Sequence, residues 1–362
     1  MKKTNFFILL MVGLLMVTGC SPVSGGNQAD SSVQITDSTG QTLVLDEVPQ
    51  RIAVAGKATV MVQDAVFLFE EAEDRVIALE NRNQSAFGFL PVVDPTFEQK
   101  EFIEMNAGPE QIAAVNPDLV IMKNFLKDSL GASLESLDIP VFYLDLETPE
   151  AFYQDVTALG ELFANPARAE EINRFYQERV ELVESLTADL SPEQKPSVLV
   201  LEYSDRGGET AFSVPPVSWL QTRMVEIAGG TPIWKGMDAG GGWSVVTLDQ
   251  IAAWNPDQIY IIDYQGKAAE VTERLRENDI WSSLKAVEND QLYAFAFDYY
   301  SWDQPDTRWI LGLEWMASKI HPENAPEIDI LEQVEEFYVT LYRLDQETIA
   351  EDVISKLTGD LP

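Results

Sequence analysis

Residues 110–121 read EQIAAVNPDLVI, and residues 249–260 read DQIAAWNPDQIY. Seven of the twelve positions are identical: Gln111/Gln250, Ile112/Ile251, Ala113/Ala252, Ala114/Ala253, Asn116/Asn255, Pro117/Pro256 and Asp118/Asp257. Each copy opens with an acid and helix formers, with Ile112 and Val115, or Ile251 and Trp254, three apart on one face. Asn-Pro then stops the helix, because proline has no N–H to donate and disfavours a helical residue before it. A β-rich run follows, Asp118 to Met122 in one copy and Asp257 to Ile262 in the other. Helix, sharp turn and buried strand form the tail of a βαβ unit, which buries its apolar faces only within a larger parallel sheet. Two copies so far apart predict an α/β protein of two similar lobes, with a binding cleft between them.

Outward from the repeat the same alternation holds. Residues 33–45 form a hairpin pattern around Ser38-Thr39-Gly40, and strands are predicted at 51–55, 75–79 and 141–144. In the second half strands are predicted at 197–203 and 292–295, and helices at 219–228, 268–277 and 309–320. From Pro166 to Leu190, apolar residues recur at spacings of three and four among charges, which predicts one long, rigid helix joining the lobes. The lobes are set at 33–148 and 192–362, the second with outer C-terminal helices, and the linking helical segment at 149–191.

The first twenty residues read as a signal peptide: Lys2 and Lys3 precede an apolar run too short to span a bilayer. The run closes on Val17-Thr18-Gly19-Cys20, which resembles a bacterial lipobox with valine in place of the usual leucine. Cys20 is the only cysteine of the chain, so no internal disulfide forms. It is the expected lipid attachment point, with an incidental cysteine after a cleaved signal as the plainer reading. Residues 21–32 are small and polar, a flexible tether. An extracytoplasmic, membrane-anchored protein follows.

The formal charge is -36, from 24 basic and 60 acidic residues. Removing Lys2 and Lys3 with the leader leaves 22 minus 60, or -38. So acidic a chain argues against nucleic acid, and it leaves an anionic ligand dependent on locally gathered Arg and Lys. No Walker P-loop, G-x-S-x-G or HExxH occurs, so neither an enzyme nor a resident cofactor is expected. His321 is the only histidine and reads as a helix-end cap, which excludes a histidine-rich metal site.

The lipobox start, the RIAVAG strand (residues 51–56) after a hairpin, the doubled motif, the long helix and the segment WSSLKAVENDQLY (residues 281–293) together resemble the substrate-binding lipoproteins of ABC importers. The subgroup is the one that serves ferric siderophores, haem, cobalamin and, in some members, molybdate or tungstate. The resemblance covers residues 33 to 345. It implies two lobes on one helix, a metal-containing small-molecule ligand, and delivery to an importer permease through acidic residues. A ligand sensor of the same fold, reporting to a different partner, is the alternative.

Ligands of α/β sheets lie against loops at the C-terminal strand ends. Those loops supply Lys57, Arg82, Lys123, Asn124 and Asp145 from the first lobe. The second lobe supplies Asp205, Arg206, Trp243 after the glycine run 240–242, and Tyr264. The glycine run presents backbone N–H groups to an anion or is a plain mobile loop. The densest loop, residues 297–308, adds Tyr299, Tyr300, Trp302 and Arg308: flat faces for a chelate and a fork for an oxyanion or carboxylate. The same residues fit a second role, the aromatics as core and Arg308 as a structural partner of the loop's aspartates. The chelate and the bare oxyanion are separated by cleft width.

Overall fold

The computed structural model describes residues 33–81, 88–205, 210–237, 240–325 and 328–361. Cys20, the leader, the tether, Arg82 and Arg206 lie outside the described residues. Ser32–Pro362 forms one compact unit.

The hairpin is present as β1 (Val33–Thr36) and β2 (Thr42–Leu45), paired antiparallel. Five strands then build a wholly parallel sheet: β3 (Ile52–Val54), β4 (Val76–Glu80), β5 (Glu101–Ile103), β6 (Leu119–Lys123) and β7 (Val141–Leu144), in the order β5-β4-β3-β6-β7. Every residue of β6 and β7 is buried, which is why they read as continuous apolar runs.

The second sheet contains β8 (Ser197–Ser204), β9 (Ala211–Val214), β10 (Thr231–Pro232), β11 (Ser244–Val246), β12 (Gln258–Ile262) and β13 (Leu292–Ala294). Its order is β11-β9-β8-β12-β13, with β10 beside β8. The parallel triplet β8-β12-β13 repeats β3-β6-β7, while β9 runs antiparallel to both its neighbours, β8 and β11. The similarity of the two halves therefore resides on one side of each sheet.

The repeated motif is the structural device of that side. Asn116 (φ 53°) and Asn255 (φ 41°) both turn the chain through the left-handed region, which asparagine tolerates. Directly after the turn, Asp118 accepts from the backbone N–H groups of Gln50 (2.8 Å) and Arg51 (3.0 Å), while its own N–H donates to the Arg51 carbonyl. Asp257 does the same to Ser197: its carboxylate accepts from Ser197 N at 2.7 Å, and its N–H donates to Ser197 O at 2.9 Å. Each aspartate pins the start of a sheet's central strand, at the end of the sheet remote from the cleft.

The two sheets are joined by helix Pro149–Leu162, capped by Thr148, and the long helix Pro166–Thr187, capped by Asn165. The latter has 22 residues and so spans roughly 33 Å, ending three residues before the predicted Leu190. Its buried face is Ala169, Ile172, Phe175, Tyr176, Arg179, Val183 and Thr187. Leu182, although apolar, is exposed, and Arg179 takes an inner position by laying its guanidinium 3.4 Å from the centre of the Phe175 ring and pairing with Glu336 at 2.6 Å. Tyr176 packs on Trp309 at 5.3 Å, so the long helix and helix Trp309–Ile320 share one core. That core is continuous from the first sheet to the second. No helix among the described residues is long and apolar enough to cross a membrane.

Candidate functional site

A cavity of about 520 Å³ opens between the two sheets. One wall comes from segments that follow strands of the first sheet: Ala58 and Met61 after β3, Asn124 and Phe125 after β6, Glu147 after β7. The other comes from Tyr264 and Gln265 after β12, Gln304 and Pro305 after β13, and Trp219, Gln221, Gly241 and Trp243 flanking β9 and β11. Strand ends place backbone turns and side chains there without disturbing the sheets.

Three rings dominate the second wall. Trp243 meets Trp219 edge-on at 5.9 Å and Tyr264 at 6.4 Å. Trp219 is the N-cap residue of helix Leu220–Ile227, so its side chain leaves the helix toward the cleft. Tyr264 is held by its hydroxyl, which donates to Asp303 Oδ2 at 3.1 Å. Burial and that carboxylate beside it push the Tyr264 hydroxyl well above its ordinary range, so it stays protonated.

On the first wall Glu147 pairs with Lys123 at 2.7 Å. The Lys123 ammonium is itself buried and also donates to the Asp145 carbonyl. Two backbone N–H groups, of Asp145 and Leu146, donate to buried Asp155 at 2.7 and 2.8 Å and fix the turn that presents Glu147. Leu146 adopts φ 62° in that turn. No arginine or lysine lines the cavity among the described residues.

Of the residues singled out from sequence, Asn124, Trp243 and Tyr264 line this cleft, together with Gly241 of the glycine run. Lys57 is exposed beside Ala58, Lys123 lies behind Glu147, Asp145 holds Lys123 through its carbonyl, and Asp205 is exposed at the end of β8. Loop 297–308 contributes Gln304 and Pro305 rather than the four residues expected of it. The structure puts Tyr299, Tyr300, Trp302 and Arg308 elsewhere. Tyr299 donates to the Asp352 carbonyl at 2.7 Å, and Trp302 is buried against helix Trp309–Ile320, where Gly312 lets its carbonyl approach. His321 sits just past that helix with Nε2 3.1 Å from the Gly229 carbonyl oxygen, the cap-like place expected of it.

Arg308 has no exposed surface. Its Nε lies 2.8 Å from Asp298, its Nη1 reaches Asp64 and, at 3.3 Å, Asp306, and its guanidinium carbon lies 4.2 Å from the centre of the Phe89 ring. Tyr300 covers the guanidinium at 5.1 Å, and Tyr338 receives a hydrogen bond from Nε at 3.0 Å. The loop's aspartates, together with Asp64 from helix Thr59–Val66, occupy Nε and Nη1 of the fork that the oxyanion reading needed, while Nη2 is buried without a partner. Arg308 thereby ties the first half of the chain to the second and to helix Ile330–Tyr342. Trp219, Gln221, Phe125 and Glu147 escaped the sequence reading, because they begin helices or turns that carry no motif.

A model of the family described as periplasmic binding protein matches residues 95–299, more than half of the chain. The molybdate-binding protein MolA of Haemophilus influenzae is 20% identical over 95% of this chain and 97% of its own length. The high-affinity heme uptake system protein IsdE of Staphylococcus aureus is 24% identical over 52% of this chain and 63% of its own, less than two thirds of that protein. A periplasmic solute binding protein of Veillonella parvula superimposes with a TM-score of 0.71 at 22% identity, covering 90% of this chain and 98% of that one. Two sheets on one long helix, a cleft at the strand ends and a family match over most of that architecture agree: this protein belongs to the periplasmic binding protein family.

Proposed function

We propose that this protein is an extracytoplasmic receptor that captures a metal complex of the ferric siderophore, haem or cobalamin class between its lobes and delivers it to an ABC importer, performing no reaction itself. The observation that carries the reading is the cleft: about 520 Å³ walled by Trp219, Trp243 and Tyr264. Cavities of roughly 300–1,000 Å³ suit whole organic ligands, whereas a bare tetrahedral ion fills a small fraction of such a space. The rings bury the faces of a chelate, and the stiff connecting helix keeps the two walls preformed, which lowers the ordering cost of binding. The relation to a haem uptake protein accords with this reading.

The relation to MolA supports a second reading, a receptor for molybdate or tungstate. We place it second because no cationic side chain among the described residues lines the cleft. The lobes take the limits 33–148 and 192–362, with 149–191 as the link, and Cys20 is the lipid anchor; fatty-acid labelling abolished in Cys20→Ser tests the anchor. The function is tested by a thermal-shift screen of the purified protein against ferric chelates, haem, cobalamin, molybdate and tungstate, since a ligand that binds only the folded form raises the midpoint. A rise with one of the complexes, reduced in Trp243→Ala, is the expected result. A rise with the oxyanions alone replaces the first reading by the second.

A further inference from the structure

The cleft floor is chemically one-sided. Gln221, in the first turn of helix Leu220–Ile227, is 4% exposed and lines the cavity. Its Nε2 donates to Asp303 Oδ2 at 3.0 Å, the oxygen that also accepts from the Tyr264 hydroxyl. A carboxylate only accepts, so the amide orientation is determined: nitrogen toward Asp303, carbonyl away from it. That carbonyl, Oε1, is buried without a hydrogen-bond partner in the protein. A buried acceptor left unmet is unfavourable, and a donor arriving in the cleft removes that penalty.

Asp303 is fully buried, and none of the ion pairs among the described residues includes it. Burial raises its carboxyl to about 6, against hydrogen bonds from Ser301, Gln221 and Tyr264 that hold it down, so at neutral pH it is mainly ionised. Its charge polarises the Gln221 amide and strengthens the free carbonyl as an acceptor. Above the floor, the faces of Trp219, Trp243 and Tyr264 carry the negative side of their quadrupoles. Glu147, the remaining acid of the wall, is balanced by Lys123. Among the described residues that line the cleft, the local charge is therefore negative, in a chain of net charge -36.

We propose that this cleft selects a neutral or cationic metal complex that sets an N–H or O–H donor on Gln221 Oε1, and that it discriminates against anionic complexes and bare oxyanions. This rests on the receptor reading above and names the charge class of its ligand. Anions would meet the field of Asp303 with no cationic side chain lining the cleft among the described residues, while a pendant ammonium gains from both the rings and the floor.

The test uses the purified protein and one ferric tris-hydroxamate core carrying a pendant ammonium, the corresponding acetamide, or a succinyl carboxylate, with affinities measured by titration calorimetry. The expected order is ammonium tightest, acetamide within about tenfold of it, and carboxylate weaker than the acetamide by about tenfold or more. Gln221→Leu is expected to weaken the first two by about tenfold and to change the carboxylate form by less than about threefold. The ordering in the unsubstituted protein needs no variant, so it stands even where Gln221→Leu does not fold. A carboxylate form that binds as tightly as the ammonium form, or molybdate displacing any of the three, overturns the charge assignment and leaves the receptor reading in place. Binding of none of the three by folded protein overturns the receptor reading for such complexes, and this inference with it.

Discussion

Replacing Arg308 by methionine removes the one cation among three buried carboxylates and tests whether that arginine is structural. The side chain and those of Asp64, Asp298 and Asp306 are at most 1% exposed. Removing one partner of a buried ion pair costs about 3–5 kcal/mol, because the charge left behind has neither water nor partner. Stacking of the guanidinium on Phe89 at 4.2 Å adds about 1–2 kcal/mol when desolvated. Proton uptake limits the total: burial already pushes the Asp64 and Asp306 carboxyls upward, and without Arg308 they protonate rather than remain as buried anions. A loss of about 4–6 kcal/mol follows, a large part of the 5–15 kcal/mol typical of a folded domain. Urea unfolding followed by the fluorescence of the eight tryptophans reads it directly. The variant should also regain stability as the pH is lowered from 8 toward 5, more steeply than the unsubstituted protein, and Arg308→Lys should fall between the two because it keeps the charge and loses the fork. A loss below about 1 kcal/mol with a parallel pH profile would refute the argument. So would unchanged stability together with lost ligand binding, which would return Arg308 to the ligand.

Other consequences are open to measurement. Burial raises the Glu314 carboxyl to about 8, with Arg179 beside it lowering it only partly, and raises Asp155 to about 7. Between roughly pH 4 and 8 the folded chain thus holds protons at these two sites that the unfolded chain has lost, and the stability they confer is present at the acid end and disappears as the pH rises through 7 and 8. Denaturation midpoints at pH 5.5 and 8.5 check this, and a higher midpoint at 8.5 would count against it. Asp118→Ala and Asp257→Ala each remove a carboxylate that holds the start of a central strand, so each should cost about 1–3 kcal/mol. Because the two sit in different sheets with no shared partner, the double variant should show their sum within about 0.5 kcal/mol. Gly312→Ala would place a methyl carbon 2.2 Å from the Trp302 carbonyl oxygen and 2.8 Å from Met224, so it should destabilise by at least about 1–3 kcal/mol although alanine is the better helix former. An unchanged or raised midpoint would show that loop 297–308 yields easily.

How much of this was legible in the chain follows from how far apart the interacting residues lie. Val141–Leu144 and Ser197–Ser204 were readable because a buried parallel strand is a local apolar run, and the long helix because its period is local too. Glu101–Ile103 and Ala211–Val214 were missed: three and four residues are too few to show a period, and sheet neighbours decide their state. Trp243 and Tyr264 were found because they follow a glycine run and a strand end. Gln221 was not, since nothing near it in sequence distinguishes it from any helical glutamine; its partner Asp303 is 82 residues away.

Sequence alone determined the two-fold α/β plan, the joining helix and the strand ends at which a ligand meets the protein, because hydrophobic period, proline and glycine act over a few residues. Only the tertiary structure decided the duties of the polar groups. Arg308 is drawn into the interior by Asp64, 244 positions earlier, and Trp219, Trp243 and Tyr264 converge from three separate loops. A charge or a ring takes its role from what faces it across the fold, and that pairing is settled by packing rather than by neighbours along the chain.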